Sequence, residues 1–62
     1  MMKRRDLIRK LEEVARQKGE RLVLSEGSRH TKATIGTWSE PIPRHREINE
    51  MTAQAILRRS RR

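Results

Sequence analysis

The residues whose side chains could take part in catalysis or binding are concentrated between Gly27 and His45. This stretch holds both histidines, the single tryptophan, both prolines and two of the three glycines of the 62-residue chain. Outside it, the sequence consists largely of lysine, arginine, glutamate and aliphatic residues. An active or binding site is therefore expected in this central stretch.

His30 is the first candidate for a chemical role because positively charged residues flank it. Arg29 precedes it, and Lys32 follows shortly after. RNA can be cleaved by its own 2′-hydroxyl if an enzyme supplies a base, cationic donors for the charge that develops on the phosphate, and an acid for the leaving oxygen. Nearby cations disfavour a protonated imidazole, so we expect a neutral His30 that accepts a proton. These residues fit metal-free RNA cleavage, with His30 as the base and Lys32 stabilising the charge of the phosphate. The alternative is that His30 is an ordinary exposed residue of a strand.

Other routes to phosphodiester cleavage lack the residues that they need. The eight carboxylates are dispersed along the chain and form no close acidic group that would hold magnesium. His30 and His45 have no cysteine or acidic residue at the spacing of zinc ligands. The chain also lacks a glycine-rich phosphate loop and a nucleophile elbow. We therefore expect no metal and no cofactor.

The composition favours a nucleic acid as the partner. Sixteen lysines and arginines against eight acidic residues give a net charge of +8, which attracts polyanions. A membrane surface is the weaker alternative, because a membrane-bound helix needs a bulky apolar face and interfacial aromatic residues. With 62 residues and no cysteine, we expect a single domain over 1–62 that relies on packing and has no disulfide. No apolar run exceeds three residues, so we expect neither a signal peptide nor a spanning helix, and a cytoplasmic protein.

Two amphipathic helices are predicted on either side of the central stretch. The first covers 4–18, with a helical stripe of Leu7, Ile8, Leu11, Val14 and Ala15. The second runs roughly from Arg46 to Arg59, with a stripe of Ile48, Met51, Thr52, Ala55 and Ile56. The charges also fit the helix dipoles, with Asp6, Glu47 and Glu50 near the positive ends and Lys18, Arg58 and Arg59 near the negative ends.

Three short strands are predicted between the helices. The first covers Arg21 to Ser25, the second Arg29 to Ile35, and the third contains Trp38, Glu40 and Ile42 on one face. Turns are predicted at Glu26 to Ser28 and at Gly36 and Thr37. In the second strand, Thr31, Ala33 and Ile35 share one face, and the other face carries His30, Lys32 and Thr34. Pro41 and Pro43 indicate an edge strand.

These elements predict a two-layer α+β domain in the order helix, three-stranded antiparallel sheet, helix. Both helices pack on one face of the sheet and bury its apolar side chains. The other face is expected to be open to water and to carry His30 within reach of an RNA backbone.

Four segments of the chain carry a family resemblance. They are K-R-R-D-L-I-R-K-L-E-E at the start, G-S-R-H-T-K around His30, P-I-P-R-H-R-E-I-N-E after the third strand and A-I-L-R-R near the end. Together they resemble the HicA family of type II toxin–antitoxin systems over nearly the whole chain. HicA proteins are small mRNA endoribonucleases with a double-stranded-RNA-binding-domain-like fold, and one histidine after a glycine turn is essential. The resemblance assigns that catalytic role to His30 and implies two partners, single-stranded mRNA and a HicB-like antitoxin that covers the site.

Contacts to the RNA are expected from residues close to His30 and after the third strand. The candidates are Ser28, Arg29, Lys32, Arg44 and His45. For His45 the first interpretation is a hydrogen bond to the start of the second helix, and contact with the RNA backbone together with Arg44 is the second. Trp38 is expected to pack against the core, because base-stacking surfaces usually have more than one aromatic ring.

Two functions without catalysis remain open. One is a small basic module that binds structured RNA by its shape. The other is a DNA-binding accessory whose second helix reads bases through Asn49, Gln54 and Arg58. Cleavage of single-stranded RNA in EDTA, with products that end in a cyclic phosphate, would distinguish a nuclease from either module.

Overall fold

A computed structural model, which describes all 62 residues, shows seven elements. In chain order they are β1 (Met2–Lys3), α1 (Arg4–Gln17), β2 (Leu22–Glu26), β3 (Thr31–Ile35), β4 (Trp38–Ile42), β5 (Glu47–Ile48) and α2 (Glu50–Ser60). Strands β2, β3 and β4 form an antiparallel sheet with β3 in the middle. Strands β1 and β5 form a separate antiparallel pair. The predicted order of helix, three-stranded antiparallel sheet and helix is confirmed.

The alternation of β3 separates the two faces of the sheet as predicted. Thr31, Ala33 and Ile35 are buried, and Lys32 between them is exposed. Successive side chains of a strand point to opposite faces, so one face of the sheet joins the core and the other faces solvent. The core consists of twelve buried side chains: Met2, Leu7, Leu11, Val14, Ala15, Ala33, Ile35, Ile42, Ile48, Ala53, Ile56 and Leu57. Neither helix has the length and hydropathy needed to span a membrane.

The turn between β3 and β4 fixes the register of the site. Ile35 pairs with Trp38, which leaves Gly36 and Thr37 as a two-residue connection. Gly36 has a φ of 57°, in the left-handed region that a side chain disfavours. From this turn the pairing runs without interruption to Thr31 opposite Ile42. The predicted turn at Gly36 and Thr37 is confirmed.

The first helix has the predicted apolar stripe and ends where the sequence indicated. Its buried residues are Leu7, Leu11, Val14 and Ala15. Gly19, with a φ of 68°, follows the last turn. Lys18 at the C-terminal cap donates from Nζ to the carbonyl oxygens of Ser60 and Arg62, so it joins the ends of the two helices.

The second helix begins at Glu50, later than the predicted start near Arg46. Asn49 is its N-cap, because the Oδ1 atom of Asn49 accepts a hydrogen bond from the backbone N–H of Met51 at 2.9 Å. The first-turn N–H of Met51 has no partner within the helix, and the side chain of Asn49 supplies one. The helix therefore begins directly after Asn49.

The residues just before Asn49 form β5 instead of a helical turn. Ile48 pairs with Met2, and Glu47 pairs with Lys3. Ile48 is buried in this pairing, although its spacing to Met51 also fits a helix. The predicted position of Glu47 at the positive end of the second helix was therefore wrong.

Candidate functional site

Both histidines lie beyond the same end of the β3–β4 ladder. Thr31 and Ile42 form its last pair, and His30 precedes Thr31 while His45 follows shortly after Ile42. Antiparallel pairing across a hairpin brings together segments on either side of the turn. His30 and His45, which are distant in sequence, therefore line the same surface groove. We call it the histidine groove.

The histidine groove lies between β4 and α2 and has a volume of about 620 Å³. From α2 it is lined by Thr52, Ile56 and Arg59, which share one face because their spacing is i, i+4, i+7. Residues from Glu40 to Pro43 line it along the strand. Four basic or imidazole side chains lie at the end of the ladder: Arg29, His30, Arg44 and His45.

A tight hairpin between β2 and β3 holds His30. The N–H of Gly27 donates to the carbonyl oxygen of His30 at 2.9 Å, so Ser28 and Arg29 form the two-residue connection. A side chain at Gly27 would not fit freely, because an added Cβ would lie 3.3 Å from that same carbonyl oxygen. The backbone of His30 is thus fixed by the turn that precedes it.

His30 is exposed as predicted, but its predicted place inside a strand on the open face was wrong. The strand begins at Thr31, and the residue that would lie opposite His30 is Pro43, which has no N–H to continue the ladder. The carbonyl oxygen of Pro43 accepts instead from Nε of Arg4 at 3.0 Å. As a result His30 lines a groove that α2 borders, and Lys32 lies outside it.

Arg44 clamps the hairpin that carries His30. Its Nη2 donates to the carbonyl oxygen of His30 at 3.1 Å, to that of Gly27, and to Oε1 of Glu26 at 3.1 Å. Nη1 of Arg44 makes no hydrogen bond within the chain, and 40% of the side chain is exposed. Arg44 therefore positions His30 and keeps one nitrogen free for an anion.

The buried hydroxyl of Thr31 extends this hydrogen-bond network into the protein. Thr31 is fully buried; its Oγ1 accepts from Nη2 of Arg4 at 2.9 Å and donates to Oε1 of Glu26 at 2.8 Å. Nε of Arg44 also points at this hydroxyl, at 3.4 Å. The hydrogen bond from Thr31, together with the charge of Arg44, holds the pKa of Glu26 below its usual range. The carboxylate is therefore ionised at neutral pH and keeps both arginines in place.

A two-pronged ion pair fixes α2 against β4. Arg59 donates from Nε to Oε1 of Glu40 at 2.6 Å and from Nη2 to Oε2 at 2.9 Å. Trp38 donates from Nε1 to the same carboxylate at 3.2 Å. The hydrogen bonds from Arg59 lower the pKa of Glu40, and that of Trp38 adds to the effect. This pair holds the two walls of the histidine groove together.

The structure brings four of the six predicted site residues into one groove. Ser28 and Lys32 are the two that do not line it, although both are exposed. Sequence analysis missed Arg59, even though it follows Thr52 and Ile56 on the same helical stripe. It also missed Glu40 as a groove residue, since the ion pair with Arg59 joins two elements whose contact the sequence does not reveal.

His45 does not contribute to the start of the second helix. The second helix is capped by Asn49, and His45 is exposed and makes no hydrogen bond within the chain, so the predicted bond to the helix start was wrong. The packing role predicted for Trp38 is confirmed, because its ring is partly buried against the core.

Base reading by the second helix has little support from side-chain contacts. Asn49 caps the helix, and Nε2 of Gln54 donates to Oε2 of Glu50 at 2.9 Å. Of the three residues considered for this role, Arg58 alone has no side-chain hydrogen bond in the chain. Two of the three side chains are therefore held by contacts at the start of the helix.

Comparison with known proteins identifies no relative of this chain. No protein-family model, curated protein or solved structure matches it. No group of three or more histidine or carboxylate side chains is arranged to hold a metal ion.

Two imidazoles in one groove can share the two proton transfers of RNA cleavage. One can take a proton from a 2′-hydroxyl while the other gives a proton to the leaving oxygen. Arg29 and Arg44 line the same end of the groove, and guanidinium groups match the geometry of phosphate oxygens. Groups of these types, placed in one groove, can serve acid–base catalysis on a phosphodiester.

Proposed function

We propose that this protein is a metal-independent endoribonuclease that acts as a HicA-like toxin on single-stranded mRNA. The observation that carries the proposal is the presence of His30 and His45 in one groove, with Arg29 and Arg44 beside them. The family resemblance noted in the sequence supports the same activity. The alternative is a basic module that binds RNA or DNA without cleaving it, and the histidine pair favours the nuclease.

In the proposed reaction His30 is the general base and His45 the general acid. His30 takes the proton of the 2′-hydroxyl, and the oxygen attacks the adjacent phosphorus. The P–O5′ bond then breaks, and His45 gives its proton to the departing 5′-oxygen. The products are a 2′,3′-cyclic phosphate and a 5′-hydroxyl, and the guanidinium groups of Arg29 and Arg44 stabilise the charge of the pentavalent state.

The first experiment incubates the purified protein with single-stranded RNA in EDTA. We expect fragments that end in a cyclic phosphate, and we expect His30→Ala and His45→Ala each to lower the rate by about 10² to 10⁴-fold, the usual contribution of a general acid or base. Both residues are exposed, so the variants should unfold at the same urea concentration as the wild type. Undiminished cleavage by His30→Ala would overturn the assignment, and binding without cleavage by the wild type would favour the non-catalytic module.

The division of roles can be tested with a substrate whose leaving 5′-oxygen is replaced by sulfur. A thiol has a pKa near 8.5, so the thiolate leaves without a proton from the enzyme. We expect His45→Ala to cleave this substrate at a rate within about tenfold of the wild type and His30→Ala to remain slow. Rescue of His30→Ala alone would reverse the two roles.

The proposed partner protein is a HicB-like antitoxin that covers the histidine groove. The opposite edge of the sheet offers a second place for a partner chain to pair, since Val23 is 53% and Leu24 39% exposed on β2. Expression of the chain alone should arrest growth, and His30→Ala should abolish the arrest while still binding the protein encoded by the adjacent reading frame. Full toxicity of His30→Ala would contradict the proposal.

A further inference from the structure

A second depression in the surface is lined almost entirely by positive charge. It lies between the start of α1 and the segment that leads into β5, has a volume of about 680 Å³ and contains no apolar side chain. The residues that line it are Lys3, Arg4, Arg5, Arg44, Arg46 and Glu47. We call it the cationic cleft.

Three of these cations have no partner within the chain. Arg4 and Arg44 are occupied by the network around Thr31. Lys3, Arg5 and Arg46 are exposed, and their side chains make neither an ion pair nor a hydrogen bond. Like charges that are held together repel one another, and a bound anion removes that repulsion.

The β1–β5 pairing is what collects these charges. Lys3 lies opposite Glu47 in that pairing, and the N–H of Arg4 donates to the carbonyl oxygen of Arg46 at 2.8 Å. Hydrogen bonds of the backbone thus hold basic residues from the start of the chain beside those of the segment that leads into β5. The cleft is a fixed feature of the fold.

Arg44 connects the cationic cleft with the histidine groove, because it lines both. We propose that the cationic cleft binds the phosphate backbone of the same single-stranded RNA whose cleaved phosphate lies in the histidine groove. The RNA strand then passes over Arg44, with one phosphate beside the histidines and the following ones in the cleft. This proposal rests on the proposed function for the identity of the strand.

The lining of the cleft indicates contact with phosphates and not with bases. Recognition of single-stranded bases uses aromatic side chains as stacking surfaces, and the cleft has none. Lysine and arginine contacts to phosphates raise affinity and fix the position of the strand without reading its sequence. The cleft therefore makes cleavage depend on the length of the RNA on one side of the cut and not on its sequence there.

The first test compares a cleft variant with a control of equal charge on RNAs of two lengths. The cleft variant combines Lys3→Gln, Arg5→Gln and Arg46→Gln. The control combines Lys10→Gln, Arg21→Gln and Arg61→Gln, which are exposed residues outside the cleft and the histidine groove. On an octanucleotide we expect kcat/KM of the cleft variant to fall by about tenfold or more, and that of the control to stay within about twofold. A dinucleotide has a single internucleotide phosphate and none left to bind in the cleft, so on this substrate the cleft variant should equal the wild type.

The second test measures binding of an octanucleotide whose 2′-hydroxyls are methylated, so that it cannot be cleaved. The slope of log affinity against log salt is negative, and each lost phosphate contact on a single strand reduces its magnitude by about 0.7. The magnitude should therefore fall by about 2 in the cleft variant and by much less in the control. Glu47→Gln should tighten binding, because it removes the one negative charge in the cleft.

The two tests separate this proposal from the proposed function. Weaker binding of the cleft variant alone supports the cleft even if no RNA is cleaved by the wild type. If the wild type cleaves RNA and the cleft variant and the control lose equal activity and affinity, or neither loses any, the proposal for the cationic cleft is overturned and the proposed nuclease function is not. A loss by the cleft variant on the dinucleotide as large as that on the octanucleotide also overturns it.

Discussion

Nη2 of Arg44 donates to the backbone carbonyl oxygen of His30 at 3.1 Å, so the residue after Pro43 holds the candidate base in place. The same nitrogen donates to Gly27 and Glu26 on the other arm of the hairpin. One guanidinium group therefore binds three acceptors, two backbone carbonyl oxygens and one carboxylate oxygen. These hydrogen bonds fix the backbone of His30, from which its imidazole extends.

Arg44→Lys keeps the charge but loses this geometry, because a lysine ammonium cannot satisfy the fork of acceptors that a guanidinium does. We expect kcat for RNA cleavage to fall by about tenfold and KM to change little. Arg46→Lys is the matched control, since Arg46 keeps its charge and makes no side-chain hydrogen bond. Single-turnover rates of the two variants at saturating RNA give the comparison, and a loss confined to KM would contradict a positioning role.

Gly27→Ala tests the close approach to the His30 carbonyl oxygen. The added Cβ would lie at 3.3 Å from that oxygen, so the hairpin must shift by a few tenths of an ångström. We expect a stability loss of about 1 kcal/mol in urea unfolding and a larger proportional loss in cleavage rate. Ser28→Ala, in the two-residue connection, should change neither. An unchanged cleavage rate in Gly27→Ala would show that the position of His30 tolerates this shift.

Thr31→Val removes the buried hydroxyl without changing the size of the side chain. Nη2 of Arg4 and Oε1 of Glu26 then lose a partner, which should lower the free energy of unfolding by about 1 to 3 kcal/mol. Thr31→Ser keeps the hydroxyl and loses one methyl group, so it should cost about 1 kcal/mol. Urea unfolding of both variants decides the point, and a larger loss in Thr31→Ser than in Thr31→Val would mean that the methyl group matters more than the hydrogen bonds.

Acid stability should depend on Glu40. Because the folded state lowers the pKa of this carboxyl, its ion pair with Arg59 contributes fully above the unfolded pKa near 4.3 and is lost as the pH falls through the folded pKa. Glu40→Gln should therefore be less stable than the wild type at pH 7, and the difference in unfolding free energy should shrink below about pH 4.3. Urea unfolding at several pH values measures it, and a difference independent of pH would contradict the ion pair.

The N-cap of α2 gives a test of the corrected helix boundary. Asn49→Ala should lower the free energy of unfolding by about 1 kcal/mol, because the Met51 N–H loses its acceptor, whereas Asn49→Gly should cost only a few tenths. A helix that started near Arg46, as the sequence suggested, would place Asn49 in its interior. In that case Asn49→Ala would be stabilising, since alanine is the better helix former.

The sheet and the first helix could be predicted because their patterns are long enough to be unambiguous. The alternation through Thr31, Ala33 and Ile35 specified which face of β3 is buried, and Gly19 and Gly36 marked ends that their positive φ angles confirm. The strands β1 and β5 could not be predicted, because two residues carry no periodicity. Their pairing depends on contacts between distant parts of the chain, and it also moved the start of α2.

The site could be predicted only in part, because its assembly depends on register. Arg29, His30, Arg44 and His45 were identified from residue type and position, but not as one groove. A hint was present in the sequence, since His30 lies six residues before the predicted turn at Gly36 and Thr37 and His45 lies eight residues after it. The contribution of α2 could not be seen, because nothing in the sequence shows which helical face meets the edge of β4.

We expect the β1–β5 pairing, which lies next to the candidate site, to form late in folding. Met2 pairs with Ile48, so the segment 3–47 must be closed into a loop before this contact forms, whereas the hairpins of the sheet close short loops. The segment with Arg44, His45 and Arg46 becomes ordered between β4 and this last pairing. Under the proposed function, a growing polypeptide that has made only its hairpins would not yet cleave RNA, because the histidine groove would form only once synthesis had passed β5 and α2 had docked.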